Sequence, residues 1–167
     1  MKKIPALMLS CALAILAFAQ DGAKKSSSNS PVIPASAAVL KAPFVLKDGA
    51  FGQPDVTELS DGGKATFDFT VPAAGNYVIH AVVDASGEEA NSFFLNIDGP
   101  PEDPGMIWDI DVTNGFAERV VSWRGKGEAD SDEFKPKVFK LTAGAHKLYL
   151  VGREPAQLQS VSIRAAQ

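Results

Sequence analysis

The sequence predicts an all-β fold, and three observations carry that prediction. Apolar residues alternate with polar residues over several short windows, as they do in half-buried strands. Glycine or proline interrupts every gap between those windows at short spacing. No window carries a sustained helical repeat. Many short strands at such intervals are typical of a sandwich or a barrel, and we expect two antiparallel sheets packed face to face.

Strand patterns recur along the chain. Residues 64–71 alternate most clearly, because Ala65, Phe67, Phe69 and Val71 fall on one side. Further strand patterns cover residues 77–83, 93–97, 117–123, 138–141, 146–151 and 157–163. Residues 69–79 and 139–148 share one plan, in which an apolar strand passes through an Ala/Gly turn into a second strand. This plan predicts two similar hairpins.

The first 19 residues have the features of a secretory signal peptide. Lys2 and Lys3 precede an uncharged, mainly apolar run that ends in Ala17-Phe18-Ala19. The run is too short to cross a bilayer comfortably. We predict cleavage after Ala19 and export to the periplasm or the cell exterior. The alternative is a lipoprotein whose lipid is attached to Cys11, but too little apolar sequence precedes that cysteine.

The mature chain is expected to contain a tether and one domain. Residues 20–39 hold a Ser-Ser-Ser-Asn-Ser run and two prolines, a composition that predicts a flexible tether. Residues 40–167 then form the folded domain. Cys11 is the only cysteine, so the mature protein has neither a disulfide nor thiol chemistry. Loss of Lys2 and Lys3 takes the net charge from −4 to −6, which argues against nucleic acid or anionic lipid as a partner.

Several motifs follow one another in a fixed order between residues 44 and 163. An aromatic-rich strand leads into the pattern V-P-x-x-G-x-Y at residues 71–77, and then into Asn91-Ser92-Phe93-Phe94-Leu95-Asn96-Ile97-Asp98-Gly99. Trp123, the segment 139–148, Gly152-Arg153-Glu154 and residues 158–163 complete the order. This ordered set resembles the bacterial carbohydrate-binding modules with a galactose-binding-like jelly-roll fold, of the family 6 and family 35 kind. The resemblance implies a non-catalytic domain that binds polysaccharide, often with a structural calcium ion at one edge.

The calcium ion that the resemblance implies is poorly supported by the residues at hand. This chain has Lys41-Ala42-Pro43-Phe44 where family members carry a Glu-containing strand, and Gln159 where they often carry an aspartate. Calcium prefers several hard, charged oxygens. The acidic stretch 128–133 offers Asp130, Asp132 and Glu133 as candidate ligands, but it lacks a full calcium-loop pattern. The alternative for that stretch is a solvated surface loop.

Six residues are candidates for binding a glycan. The indoles of Trp108 and Trp123 could stack on a sugar ring, and the alternative is core packing with the N–H satisfied. Asn91 and Asp98 bracket the strand 93–97 and could bond sugar hydroxyls, whereas the alternative is turn chemistry. Arg153 and Glu154 form either a ligand clamp or an ion pair that braces the last hairpin.

Nothing in the sequence points to catalysis. His80 and His146 are the only histidines, and neither has a second histidine or a cysteine near it in sequence, so a zinc site is unsupported. No nucleophile motif or phosphate loop is present. We therefore interpret the chain as an exported, non-enzymatic polysaccharide-binding module. The alternatives are a structural or protein-interaction domain of the cell envelope and a small hydrolase, whose paired carboxylates only a structure can locate.

Overall fold

Twelve strands and one short 3₁₀ helix make up the regular structure in the computed structural model, which describes residues 30–125 and 134–167. The helix covers Ala35–Ala37. The strands are β1 (Val32–Pro34), β2 (Val39–Lys41), β3 (Val45–Lys47), β4 (Ala50–Gly52), β5 (Lys64–Val71), β6 (Gly75–Asp84), β7 (Ser92–Ile97), β8 (Ile107–Asp109), β9 (Ala117–Val120), β10 (Phe139–Leu141), β11 (Gly144–Gly152) and β12 (Gln157–Ala165). No helix within the described residues is long and apolar enough to span a membrane.

The strands form two antiparallel sheets. One sheet has five strands in the order β2-β5-β11-β7-β8. The other has seven: its main path is β10-β6-β12-β4-β3, and β1 and β9 pair with β12 and β6. The prediction of a two-sheet antiparallel sandwich is therefore confirmed.

Alternating side chains of both sheets meet in one apolar core. Every second residue of β5 from Ala65 to Val71 is buried, as is every second residue of β6 from Tyr77 to Val83. Phe51 lies between Phe44 and Phe67, with ring centroids 4.8 Å and 6.1 Å away. Full burial of one such side chain contributes roughly 1.5–3 kcal/mol to folding, so the alternation accounts for the two-layer architecture.

The two turns predicted as hairpins instead connect the sheets, which corrects the sequence interpretation. β5 and β6 lie in opposite sheets, and so do β10 and β11. The two connections lie side by side, since Leu141 pairs with Gly75 and Gly144 pairs with Val71. Alternation with one buried face looks the same whether two consecutive strands pair or face each other, so the pattern could not distinguish a hairpin from an arch.

The ordered domain includes residues that the sequence analysis placed in the tether. β1 pairs with β12 through Val32 and Ser162, Ile33 and Val161, and Pro34 and Ser160. Ala35 is completely buried, and Ile33 packs against the core. Residues 30–39 therefore belong to the sandwich, because these two apolar side chains are buried within a polar stretch. The predicted signal peptide (1–19), Cys11 and residues 20–29 lie outside the described residues.

Candidate functional site

The two tryptophans occupy different environments. Trp108 is only 1% exposed and packs against Phe93 at a centroid distance of 6.2 Å, so its indole is a core residue and not a stacking platform. Trp123 is half-buried and donates its Nε1–H to the carbonyl oxygen of Leu95 at 2.9 Å. The Lys137 ammonium lies 3.9 Å from the Trp123 ring centroid in a cation–π contact. A sugar that stacked on that face would have to displace Lys137.

Asn91, Arg153 and Glu154 do come together, at one end of the sandwich. The Arg153 guanidinium pairs with the neighbouring Glu154 carboxylate and donates to Ser92 Oγ at 2.8 Å. The same carboxylate accepts the backbone N–H of Asn91 at 3.1 Å. These contacts brace the β11–β12 turn against the start of β7. The geometry thus matches the structural alternative for Arg153 and Glu154.

Asp98 lies at the other end of β7 from Asn91. Because a strand rises about 3.3 Å per residue, the two residues are roughly 20 Å apart and do not form one site. Asp98 adopts φ 59° in a turn, and its carboxylate contacts His146 Nδ1 at 2.6 Å and accepts the Lys147 N–H at 3.0 Å. His146 Nε2 lies 2.8 Å from the Thr142 carbonyl oxygen. Both ring nitrogens therefore face acceptors. Asp98 has the turn role that the sequence analysis gave as its alternative.

The Asp98–His146 contact shifts the pKa of both groups. The hydrogen bonds to Asp98 and Thr142 raise the pKa of His146 above its ordinary value of 6.5. Burial by itself raises the pKa of Asp98, but the hydrogen bonds from His146 and Lys147 outweigh it, and the net pKa lies below 3.8. The contact consequently favours the charged form of both groups and links the turn after β7 to the start of β11.

A calcium site of the implied kind does not fit the described residues. Within residues 30–125 and 134–167, no three His, Cys, Asp or Glu side chains lie close enough together to hold a metal ion. Lys41 and Gln159 are both exposed, and neither offers the carboxylate that calcium prefers. The acidic candidates Asp130, Asp132 and Glu133 lie outside the described residues.

A cleft that the sequence analysis did not predict lies on the outer face of the five-stranded sheet. Its volume is about 400 Å³. The half-buried Tyr149 of β11 lines it, directly opposite Thr66 of β5, which also lines it. Val39 of β2 is the next residue across the sheet, because it pairs with Thr66. An aromatic ring thus lies next to a hydroxyl and an apolar side chain on an open surface.

Two walls rise from this face. Pro100 and Pro101 form one, and Asn96 fixes it by donating its Nδ2–H to the Pro100 carbonyl oxygen at 3.3 Å. Leu59 forms the other and packs on Phe94, Ile107 and Val151.

The loop that carries Leu59 is held by the buried Gln53. Its Nε2 donates to Thr57 Oγ1 at 2.7 Å, and its Oε1 accepts the Gly63 N–H at 2.9 Å. A Cβ on Gly152 would lie 1.9 Å from Gln53 Oε1, so only glycine allows this close approach. The hydrogen bonds of Gln53 and its close approach to Gly152 therefore hold the loop that carries Leu59 in place.

A second, smaller pocket of about 290 Å³ lies at the edge between β8 and β9. Phe134, which is 54% exposed, lines it together with Arg119 and Ser122. The Arg119 Nε and Ser122 Oγ atoms are buried and have no hydrogen-bond partner among the described residues.

Comparison with solved structures shows the fold. The chain is similar to a family 35 carbohydrate-binding module from Clostridium thermocellum, with a TM-score of 0.56 and 14% identity over 83% of this chain and 100% of that one. It is also similar to the C-terminal family 6 module of LamC, a marine laminarinase from Zobellia galactanivorans (TM-score 0.53, 13% identity, 81% and 99% covered). A third similar structure is the Cellvibrio mixtus lichenase 5A module CBM6cm-2 in complex with cellotriose, with a TM-score of 0.50 and 15% identity over 83% of this chain and 98% of that one.

These likenesses confirm the jelly-roll fold of the family 6 and family 35 kind, which the sequence motifs indicated. The match also spans 28% of a Podospora anserina mannanase that carries a family 35 module. No protein-family model matches the sequence, and no curated protein matches it. The identities are low, so these likenesses show the fold and do not identify a binding site.

Proposed function

We propose that this chain is a non-catalytic module that binds polysaccharide in the cleft around Tyr149. The observation that carries the proposal is the aromatic ring of Tyr149 among the residues that line an open cleft on the outer face of the sheet. The fold shared with carbohydrate-binding modules, one of them in complex with cellotriose, supports the same function.

The cleft has the chemistry that a sugar chain requires. The face of Tyr149 offers a flat surface for the C–H groups of a pyranose, and its hydroxyl and that of Thr66 can exchange hydrogen bonds with sugar hydroxyls. Val39, Leu59 and Pro100 provide apolar contacts around the ring. The cleft is open to solvent at the sheet surface, so a polymer can lie across it without threading an end into a pocket.

The residues that line the cleft support the non-catalytic part of the proposal. No Asp, Glu or His side chain lies among its lining residues in the part of the chain that the structure describes. Hydrolysis of a glycosidic bond ordinarily uses two carboxyl groups on either side of the bond. We further propose that the module is exported, on the strength of the signal sequence in residues 1–19.

Calorimetric titration with a panel of soluble polysaccharides tests the function and the site together. The panel contains hydroxyethylcellulose, laminarin, mannan, highly methyl-esterified pectin and polygalacturonate. Tyr149→Ala removes the stacking surface, so we expect it to weaken binding of the preferred polymer about tenfold or more. Tyr149→Phe keeps the ring and should retain affinity to within about threefold.

Phe134→Ala is the matched control, because it removes an exposed aromatic ring from the edge pocket and leaves the cleft intact. It should leave affinity unchanged, and thermal unfolding of each variant checks that the sandwich is folded. If the wild type bound nothing in the panel, the function would be wrong. If Phe134→Ala and not Tyr149→Ala abolished binding, the location of the site would be wrong.

A further inference from the structure

Two lysines lie side by side at one end of the cleft. Lys41 of β2 pairs directly with Lys64 of β5, and both side chains line the cleft. Directly opposed residues of antiparallel strands have Cβ atoms about 4.5–5.5 Å apart. The two ammonium groups therefore share one small region next to Tyr149 and Thr66.

Neither lysine has a partner for its charge within residues 30–125 and 134–167, where neither forms an ion pair or a side-chain hydrogen bond. Lys147, on the same face, instead pairs with Asp68 at 2.5 Å. Like charges directly opposite each other destabilise a sheet. Two unpaired, opposed ammonium groups in a cleft are thus an arrangement that an anion would stabilise.

Acidic side chains do not neutralise this pair from the walls. Glu58 and Asp61 lie near Leu59 on its loop, but neither lines the cleft, and neither forms an ion pair or a side-chain hydrogen bond with Lys41 or Lys64. The net charge of −4 is a property of the whole chain, whereas binding depends on the local field inside a cleft. The cleft can therefore select an anion although the protein is acidic.

We propose that the cleft selects an anionic polysaccharide and places the acidic group of one sugar between Lys41 and Lys64 while a ring packs on Tyr149. This inference rests on the proposed function, because it specifies the class of glycan for the same cleft. The acidic group is a uronate carboxylate or a sulfate ester, since both accept charge-assisted hydrogen bonds from ammonium groups.

Matched polymers that differ only in charge give the sharpest test. Polygalacturonate and its highly methyl-esterified form share a backbone, and a carrageenan and its desulfated form supply the sulfate arm. We expect the wild type to bind at least one acidic member about tenfold more tightly than its neutral counterpart. Raising the salt concentration from 50 to 500 mM should weaken the acidic interaction and leave the neutral one nearly unchanged.

The variants Lys41→Gln and Lys64→Gln test the residues. Each should lower affinity for the acidic polymer about fivefold to tenfold without changing affinity for the neutral one. Lys140→Gln, on β10 of the other sheet, is the matched control and should change neither. Tyr149→Ala should weaken both.

The outcomes separate this inference from the proposed function. If the neutral and acidic polymers bound equally, or if the lysine variants kept the acidic preference, the inference would fail while polysaccharide binding stood. If no polymer bound the wild type, both would fail. Equal affinity for a single-stranded oligonucleotide of similar charge density would also overturn the inference, because the cleft would then select charge and not a sugar.

Discussion

At the scale of single residues, the contact between Asp98 and His146 links folding stability to pH. The His146 pKa is raised in the folded state, so its contribution is fully present below pH 6.5 and is lost as the pH rises through the folded pKa. The Asp98 pKa is lowered, so its contribution is present above pH 3.8 and is lost as the pH falls through the folded pKa. The pair therefore stabilises the protein most between these two pH values.

Asp98→Asn tests this link, because asparagine tolerates the positive φ at this position and removes the charge. We expect the free energy of unfolding of the wild type to fall between pH 6 and 9 more steeply than that of the variant. Urea unfolding at a series of pH values measures both slopes. Parallel curves over this range would contradict a stabilising role for the pair.

Part of the candidate site could be predicted from the sequence, residue by residue. Alternation in residues 146–151 places Leu148 and Leu150 inside, so the same pattern indicates that Tyr149 faces outward. The pairing of β2 with β5, which brings Lys41 beside Lys64, could not be predicted from the sequence, because strand register is a long-range property. Trp108 was a candidate ligand contact by residue type, with core packing as the alternative, and its burial in the structure shows that it belongs to the core.

At the scale of secondary-structure elements, the long strands were predictable, and the short strands at the start of the domain were not. Residues 64–71 were predicted with the bounds that β5 has, because eight residues show a clear period of two. β1, β2, β3 and β4 have three residues each, too few to show any period. Residues 117–123 were predicted as one strand, but β9 ends at Val120, and Trp123 lies beyond it and donates to Leu95.

The role of β1 and the adjoining helical turn can be tested in the full chain. Ala35→Asp would bury a carboxylate in the core, and we expect it to destabilise the fold by about 3 kcal/mol or more. Val32→Asp is the matched control, since Val32 is 63% exposed on β1, and it should cost less than about 0.5 kcal/mol. Chemical unfolding measures both changes. If Ala35→Asp were as mild as its control, residues 30–39 would behave as the tether that the sequence predicted.

At the scale of the whole molecule, the signal peptide proposed for residues 1–19 makes a separate prediction. When the full chain is expressed in a bacterium that secretes through signal peptides, we expect the exported product to begin at Gln20. Intact mass and N-terminal sequencing of that product check the cleavage site. Cys11→Ser should leave processing unchanged. A lipidated product that begins at Cys11, lost in the Cys11→Ser variant, would support the lipoprotein alternative instead.

The pairing of β1 with β12 also determines how the module faces its surroundings. Val32 lies opposite Ser162, so the described residues enter and leave the fold close together, in the seven-stranded sheet. The cleft opens on the far side of the other sheet, with a layer about 10 Å thick between the two. A polymer lying across Tyr149 would therefore contact the sheet that does not carry the two ends of the described residues.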